Sequence, residues 1–179
     1  MPIGLKRGTV SVREHQTEWE YSAREMIKTL KETAKNDIID AQHIGSTAVK
    51  TVCAKPIIDI VVGVSDFNNM FKHNDELMKK GIVYRREDHP EQHLYVCEDK
   101  AANIQTHYIH VVIYNQKNWN NYINMRDYLN ANAPAAAEYS ELKKRLAEKY
   151  PNDRIAYTNG KSELIEKILK LAEMQNNNR

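Results

Sequence analysis

The sequence predicts one α/β (α+β) domain, a mixed sheet flanked by helices, with a C-terminal helical group. Three observations support this fold class. Strand-like and helix-like segments alternate over the first half of the chain, three strand-like segments follow one another up to Tyr114, and the remainder is helical. No internal repeat or long linker divides the chain. We therefore expect a single domain over residues 1–174 and a frayed tail at 175–179.

The first half of the chain contains three predicted strands and one long helix. Residues 9–13 are expected to form a short strand. A helix follows near Thr17, which has the spacing of a capping box with Glu20. Residues 40–44 predict a brief strand, and the Ile- and Val-rich segment 56–64 predicts a central one.

The middle of the chain predicts one helix and three strands. Apolar spacing favours a helix over 67–80, ending near Gly81 as a C-terminal glycine indicates. Strands are expected at 82–85, 93–97 and 105–114. The connection between the last two is short and polar, which predicts an antiparallel hairpin.

The last third predicts three helices. The first carries Trp119 and Leu129 on one stripe, and Pro134 suits the first turn of the second. Pro151 is expected to stop that second helix near Tyr150. Asn159 is a candidate cap for the final helix.

Composition excludes several classes of protein. The chain has 26 Lys and Arg against 24 Asp and Glu, a net charge of +2, which argues against a nucleic-acid or membrane partner. No apolar run approaches the roughly 20 residues of a membrane span. Two cysteines and no apolar leader predict reduced thiols and a cytoplasmic location. The sequence does not predict an oligomeric state.

The turn Gly45-Ser46-Thr47 is the first candidate site. A Gly-Ser turn that opens a short helix offers free backbone N–H groups and a hydroxyl, which favour a phosphate. The alternative is an ordinary helix cap. Lys55 opens the central strand and could neutralise phosphate charge.

Asp59 is the second candidate. It interrupts a central apolar strand, where a charge is costly unless it is paired or metal-bound. A carboxylate there could hold a divalent cation beside a phosphate. The alternative is a structural ion pair with Lys55 or an arginine.

Five ordered segments carry a resemblance to a known family. The chain resembles the GrpB-like proteins, a branch of the nucleotidyltransferase superfamily typified by DNA polymerase beta. The resemblance implies a nucleotidyltransferase-like mixed sheet, and related domains occur fused to dephospho-CoA kinase. The matching segments are 43–49, 54–60, 109–111, 126–129 and 157–161.

One position departs from the superfamily pattern. Active members carry a second acid two residues after the first, on the same face of the strand, so that both acids share metal ions. Here that position is Val61, and the next on that face is Gly63. Histidine is a possible replacement, because the resembling family has histidines at the positions of His43 and His110.

These observations predict a set of roles. The first hypothesis is nucleotidyl transfer from a nucleoside triphosphate to a small acceptor, with Mg²⁺ or Mn²⁺. The alternative is a non-catalytic module for a nucleotide or CoA-like ligand, and a third is a reaction that uses one metal with histidine ligands. Catalytic roles are expected for Asp59, His110 and His43, metal binding for Asp59 and His110, phosphate binding for Gly45, Ser46, Thr47 and Lys55, and contact with the anionic, phosphorylated substrate for Arg126 and Lys161.

Overall fold

The computed structural model describes residues 3–89 and 91–177, which fold around a six-stranded mixed sheet. The strand order is β2-β3-β6-β5-β4, and β1 pairs with the start of β6. The β3–β6 pair is parallel and the others are antiparallel, including the expected β5–β6 hairpin. The strands are β1 (Leu5–Lys6), β2 (Asp40–Ile44), β3 (Ile58–Val64), β4 (Ile82–His89), β5 (Gln92–Asp99) and β6 (Ile104–Ile113).

Helices flank this sheet, as the sequence predicts. Single 3₁₀ turns occur at Lys35–Asp37 and Ser46–Ala48. None of the described helices is both long and apolar enough to cross a membrane. The α-helices are α1 (Thr17–Ala34), α2 (Asn68–Phe71), α3 (Asn74–Lys79), α4 (Lys117–Ala131), α5 (Ala133–Lys149), α6 (Arg154–Asn159) and α7 (Ser162–Asn177).

The side chains of β3 alternate between the two faces of the sheet. One face packs into the larger core, and the other carries the candidate site. The face toward α1 carries the larger apolar core, in which Leu30 of α1 and Ile60 of β3 are fully buried. Burying each such side chain stabilises the fold by about 1.5–3 kcal/mol. On the other face α4 covers a smaller cluster. Its buried members are Ile44, Val61, Val112 and Trp119.

The C-terminal helices form a second layer beside that other face. α4, α5 and α7 share an apolar core with the segment that precedes β3. Because α4 covers only part of the sheet face, the rest of it stays open as a cleft. The buried residues of the shared core are Val49, Val52, Leu129, Ala136, Tyr139 and Ile168.

Two predictions for the N-terminal region are wrong. Residues 9–13 form no strand. Val10 donates its N–H to the Pro151 carbonyl, and only Arg13 makes an isolated bridge, so the backbone bonds go elsewhere. The capping box does not form, because α1 starts at Thr17 and its N-cap is Gln16, without a side-chain cap.

Three further boundaries differ from the sequence-based expectation. The helix expected over 67–80 is divided into α2 and α3, and at the break Lys72 and His73 both bond to Asp37. Asn159 ends α6 instead of capping α7. A frayed tail was expected at 175–179, but residues 175–177 are helical because α7 continues to Asn177. Residues 178–179 lie outside the described part of the chain. The single domain over 1–174 stays a prediction.

Candidate functional site

A cleft of about 1100 Å³ lies between the open sheet face and the C-terminal helices. Its floor includes Asp59 of β3 and His110 of β6, and the turn at Gly45 forms one side. Further lining residues come from α6 and from Lys161, which lies between α6 and α7. The structure therefore brings together the expected turn, the lone acid, His110, Lys55 and Lys161.

Gly45 lets the turn approach the acid closely. Its φ of +68° favours glycine. The following turn, Ser46–Ala48, is a single 3₁₀ turn of three residues, so it offers less dipole than the expected helix. The Thr47 hydroxyl is 2.9 Å from His43 Nε2 and is engaged there. Burial raises the pKa of the nearby Tyr139 to about 12, and Ser46 acts in the opposite direction.

Asp59 and His110 form an acid–histidine pair on the floor of the cleft. His110 Nε2 lies 3.4 Å from Asp59 Oδ1. The side chain of Asp59 is 31% exposed toward the cleft. Burial acts to raise the pKa of Asp59, but the His110 hydrogen bond and the charges of His110, Lys55 and Lys161 together lower it. The carboxyl group is therefore ionised at neutral pH.

The second ring nitrogen of His110 is held from two elements. Its Nδ1 is 3.4 Å from Gln92 Nε2 on β5 and 3.3 Å from the hydroxyl of Tyr122 on α4. Tyr122 in turn donates to Gln92 Oε1 at 2.7 Å. Because the amide nitrogen can only donate, Nδ1 accepts from Gln92 and the ring presents its Nε2–H to Asp59. The sequence contained no signal for this network, whose members come from three separate elements.

The donor atoms of the cleft do not fit a metal centre held by the protein alone. Among the side chains that the structure describes, no group of three His, Cys, Asp or Glu residues is placed to hold a metal ion. Val61 is fully buried in the cluster under α4, and a Cβ on Gly63 would lie 2.7 Å from the ring of Tyr114. Apolar packing thus fills the place where a second acid would be needed. Asp59 supplies one carboxylate, whereas Mg²⁺ requires an octahedron of oxygens.

Lysines and arginines dominate the charge of the cleft. Lys55 Nζ and Lys161 Nζ lie 5.2 and 4.7 Å from the centre of the same Tyr157 ring. Burial, with neighbouring cations, lowers the pKa of Lys55 to about 7 and that of Lys161 to about 8. Arg154 lies over the ring of Tyr108, 5.0 Å from its centre.

Lys143 also lines the cleft, although its side chain is 2% exposed. Its Nζ donates to the carbonyl of Cys53, and burial lowers its pKa to about 7. Sequence reasoning missed Lys143 and Arg154. A signal existed for Lys143, since it follows the buried Tyr139 by four residues and precedes the buried Ala147 by four.

Two expected site residues lie outside the lining of the cleft. His43 is paired with Ile60 across β2 and β3, so its side chain is on the α1 face, and burial lowers its pKa to about 4. Arg126 joins α4 to β2 by donating to Gln42 Oε1 at 2.7 Å and to the His43 carbonyl at 3.1 Å. It also pairs with Asp127. Arg126 therefore joins α4 to β2 and does not line the cleft.

The family model, a relative in sequence and a solved structure all point to the same family of proteins. The family described as "GrpB protein" matches residues 9–171. The glutamate-rich protein GrpB of Alkalihalophilus pseudofirmus is 38% identical over 170 residues, covering 93% of this chain and 98% of that protein. The crystal structure of the conserved protein GrpB from Enterococcus faecalis is similar with a TM-score of 0.85 and 29% identity, over 92% of this chain and 98% of that one.

A more distant structure confirms the fold class. The Cid1 poly(U) polymerase, in a crystal structure with MgGTP bound, is similar with a TM-score of 0.53 and 16% identity. The match covers 76% of this chain and 44% of the Cid1 chain. At this identity the likeness concerns the fold, which is of the nucleotidyltransferase type that the sequence resemblance implied.

Proposed function

The chain belongs to the GrpB family, and from the geometry of its cleft we propose that it binds a nucleotide or another phosphorylated small molecule through the phosphate groups. One observation carries this proposal. Lys55, Lys143 and Lys161 line one cleft, and within the described part of the chain none of them forms a salt bridge with a carboxylate. Several buried or half-buried basic side chains that share one acid and form no salt bridge favour an anionic ligand.

The phosphate position follows from the same residues. Lys55 Nζ and Lys161 Nζ lie 5.2 and 4.7 Å from the centre of the Tyr157 ring, and the Gly45-Ser46 turn lines the same cleft. The ionised Asp59 repels a phosphate placed directly against it. The ligand therefore sits nearer the lysines, with Asp59 at its edge.

Binding measurements test this proposal. Isothermal titration calorimetry with ATP, ADP, CoA and inorganic phosphate, in EDTA, should detect at least one phosphorylated ligand without added metal. Lys161→Ala should weaken that binding about tenfold, equivalent to about 1.4 kcal/mol. Lys167→Ala is the matched control, because Lys167 is an exposed residue of α7, the helix that follows Lys161, and it pairs with Glu138. Absence of binding by every ligand, or equal effects of both substitutions, would contradict the proposal.

Nucleotidyl transfer is the second candidate function. The observation in its favour is the partly exposed Asp59 on the cleft floor, where an Mg²⁺ or Mn²⁺ ion arriving with a nucleotide could take it as a ligand. Such an ion would supply charge neutralisation at the phosphates. Tighter ATP binding with Mg²⁺ that Asp59→Asn abolishes, together with pyrophosphate release, would support this function. Metal-independent binding and no pyrophosphate with a panel of small acceptors would exclude it.

The expected cytoplasmic location belongs to the proposal as well. Cys53 and Cys97 are buried and unpaired, and burial raises the pKa of Cys97 to about 12. Such thiols are typical of a reducing compartment. Cell fractionation tests the location, and recovery of the protein outside the cytoplasm would contradict it.

A further inference from the structure

We propose that Lys55 is a nucleophilic amine and that the cleft takes phosphorylated carbonyl compounds, which Lys55 holds as an imine while Lys161 and Arg154 bind the phosphate. This inference rests on the proposed phosphate binding and adds a covalent capacity to it. The first observation is that the amines of Lys55 and Lys161 both lie close to the ring of Tyr157.

The Tyr157 ring is a rigid platform for both amines. Tyr157 is fully buried, and it packs in a cluster with Val10 and Ala147. Lys55 reaches the ring from the segment before β3, and Lys161 from the turn between α6 and α7. The two amines therefore lie near one ring of the cleft, although the segments that carry them are far apart in sequence.

The surroundings of Lys55 favour its unprotonated form. The groups that act on it are the cations Arg154 and Lys161, which oppose a further positive charge, and Asp59, which favours one. No carboxylate forms a salt bridge with Lys55 in the part of the chain that the structure describes. Burial and the two cations dominate, so the pKa of Lys55 is about 7. An amine desolvated beside other cations is the usual activated form of a lysine nucleophile.

The remaining cations are suited to the phosphate. Arg154 is held by Tyr108 and by Gln105, to which it donates at 3.0 Å, so its guanidinium is already ordered. Arginine is always charged, and Lys161 is the other basic side chain beside the Tyr157 ring. A phosphate on these two residues places an attached aldehyde within the same basic part of the cleft as Lys55.

The covalent step balances without an added oxidant or reductant. The neutral amine of Lys55 attacks the carbonyl carbon, forming a C–N bond. The carbonyl oxygen takes up the two protons that nitrogen loses and leaves as water. The product is an imine, and water reverses the step.

Pyridoxal 5′-phosphate is the probe for this site. The full chain is incubated with it at pH 7.5, imine formation is followed by absorbance, borohydride fixes the adduct, and peptide mass spectrometry locates it. We expect labelling mainly at Lys55, with at least roughly tenfold less label from pyridoxal, which lacks the phosphate. Lys55→Arg keeps the charge and removes the nucleophile, so it should abolish that label.

Lys50→Arg is the matched control, because Lys50 is 75% exposed and pairs only loosely with Glu20 at 3.8 Å. It should leave the label at Lys55 unchanged. Label spread evenly over exposed lysines, or equal labelling by pyridoxal, would overturn the inference. If a phosphorylated ligand binds by calorimetry and Lys55 stays unlabelled, the covalent inference fails while the proposed function stands. If no such ligand binds, the proposed function fails first.

Discussion

Gly45 and Asp59 are in steric contact: a Cβ atom on Gly45 would lie 2.7 Å from Asp59 Oδ2. The contact follows from the register of β2 and β3, in which Ile44 is the partner of Asp59. The turn that leaves β2 is therefore forced to pass over the carboxylate. This relationship makes the turn and the acid one site, and it explains why the turn begins with glycine.

Gly45→Ala should destabilise the protein and disturb the cleft. The substitution adds strain at a positive φ, about 1–2 kcal/mol, and a clash with Asp59 of about 1–3 kcal/mol more. Gly81→Ala is the matched control, since Gly81 has a φ of +79° but no atom near its Cβ position. Urea unfolding compares them. Equal losses in the two variants would mean that the contact with Asp59 has no energetic cost.

His110→Ala should raise the pKa of Asp59. The His110 hydrogen bond and charge are the first of the contributions that lower this pKa against burial. Carboxyl ¹³C chemical shifts followed over pH measure the change. His73→Ala is the control, because His73 pairs with Asp37 at 2.8 Å and should affect the pKa of that carboxyl instead. An unchanged Asp59 titration in His110→Ala would show that the pair is not coupled.

The same pKa has a defined consequence for stability. Because the pKa of Asp59 is lower in the folded state, its ionisation stabilises the fold above the pKa of the unfolded chain. That contribution is lost as pH falls through the folded value. Asp59→Asn should therefore flatten the acid limb of a plot of unfolding free energy against pH. An unchanged acid limb would contradict this assignment.

Lys143→Met should make stability less dependent on pH on the alkaline side. The pKa of Lys143 is about 7 when folded, against 10.5 ordinarily, so the unfolded chain binds more protons between these values. Wild-type stability then rises with pH across this window, by several kcal/mol in order of magnitude. The variant should lose the Lys143 contribution to that rise and keep those of Lys55 and Lys161, whose pKa values are also lowered. Urea unfolding at pH 6 and pH 9.5 measures it, with Lys144→Met, an exposed neighbour, as the control. A rise of wild-type size in Lys143→Met would refute the burial argument.

Val61→Asp should not restore a second catalytic acid. The position is fully buried beside Ile44 and Trp119, so an ionised carboxylate there costs on the order of 3 kcal/mol or more. Val61→Asn separates polarity from charge and should lose less stability. Thermal unfolding with and without Mg²⁺ checks both variants. A stable Val61→Asp protein that gains metal-dependent stabilisation would show that the apolar cluster tolerates the acid.

Arg126→Met should affect stability and leave phosphate-ligand affinity unchanged. Arg126 bonds Gln42 and the His43 carbonyl, and losing these bonds should cost about 1–3 kcal/mol. Arg145→Met, at an exposed position of α5, should cost little. Calorimetry on both variants gives the affinity. A selective loss of ligand binding in Arg126→Met would assign Arg126 to the substrate, as the sequence resemblance implied.

The sequence alone predicted the features that depend on local pattern. The run of Ile and Val identified β3, and Asp59 stood out because a charge in such a strand is costly. The glycine turn before it was also visible. The break between α2 and α3 was not visible in the sequence, because the hydrogen bonds of Lys72 and His73 at this break go to Asp37, which is far away in the chain.

Only the tertiary structure decided which side chains share the cleft. Lys143 and Arg154 enter it because α5 and α6 pack beside the open sheet face, and no short-range pattern encodes that packing. The side chain of His43 lies on the face away from the cleft, because His43 is one residue before Ile44 in β2. Since Ile44 is the partner of Asp59, His43 is opposite Ile60 and lies on the other face. Successive side chains of a strand alternate between faces, so pairing between strands, and not proximity in sequence, determines the composition of the site.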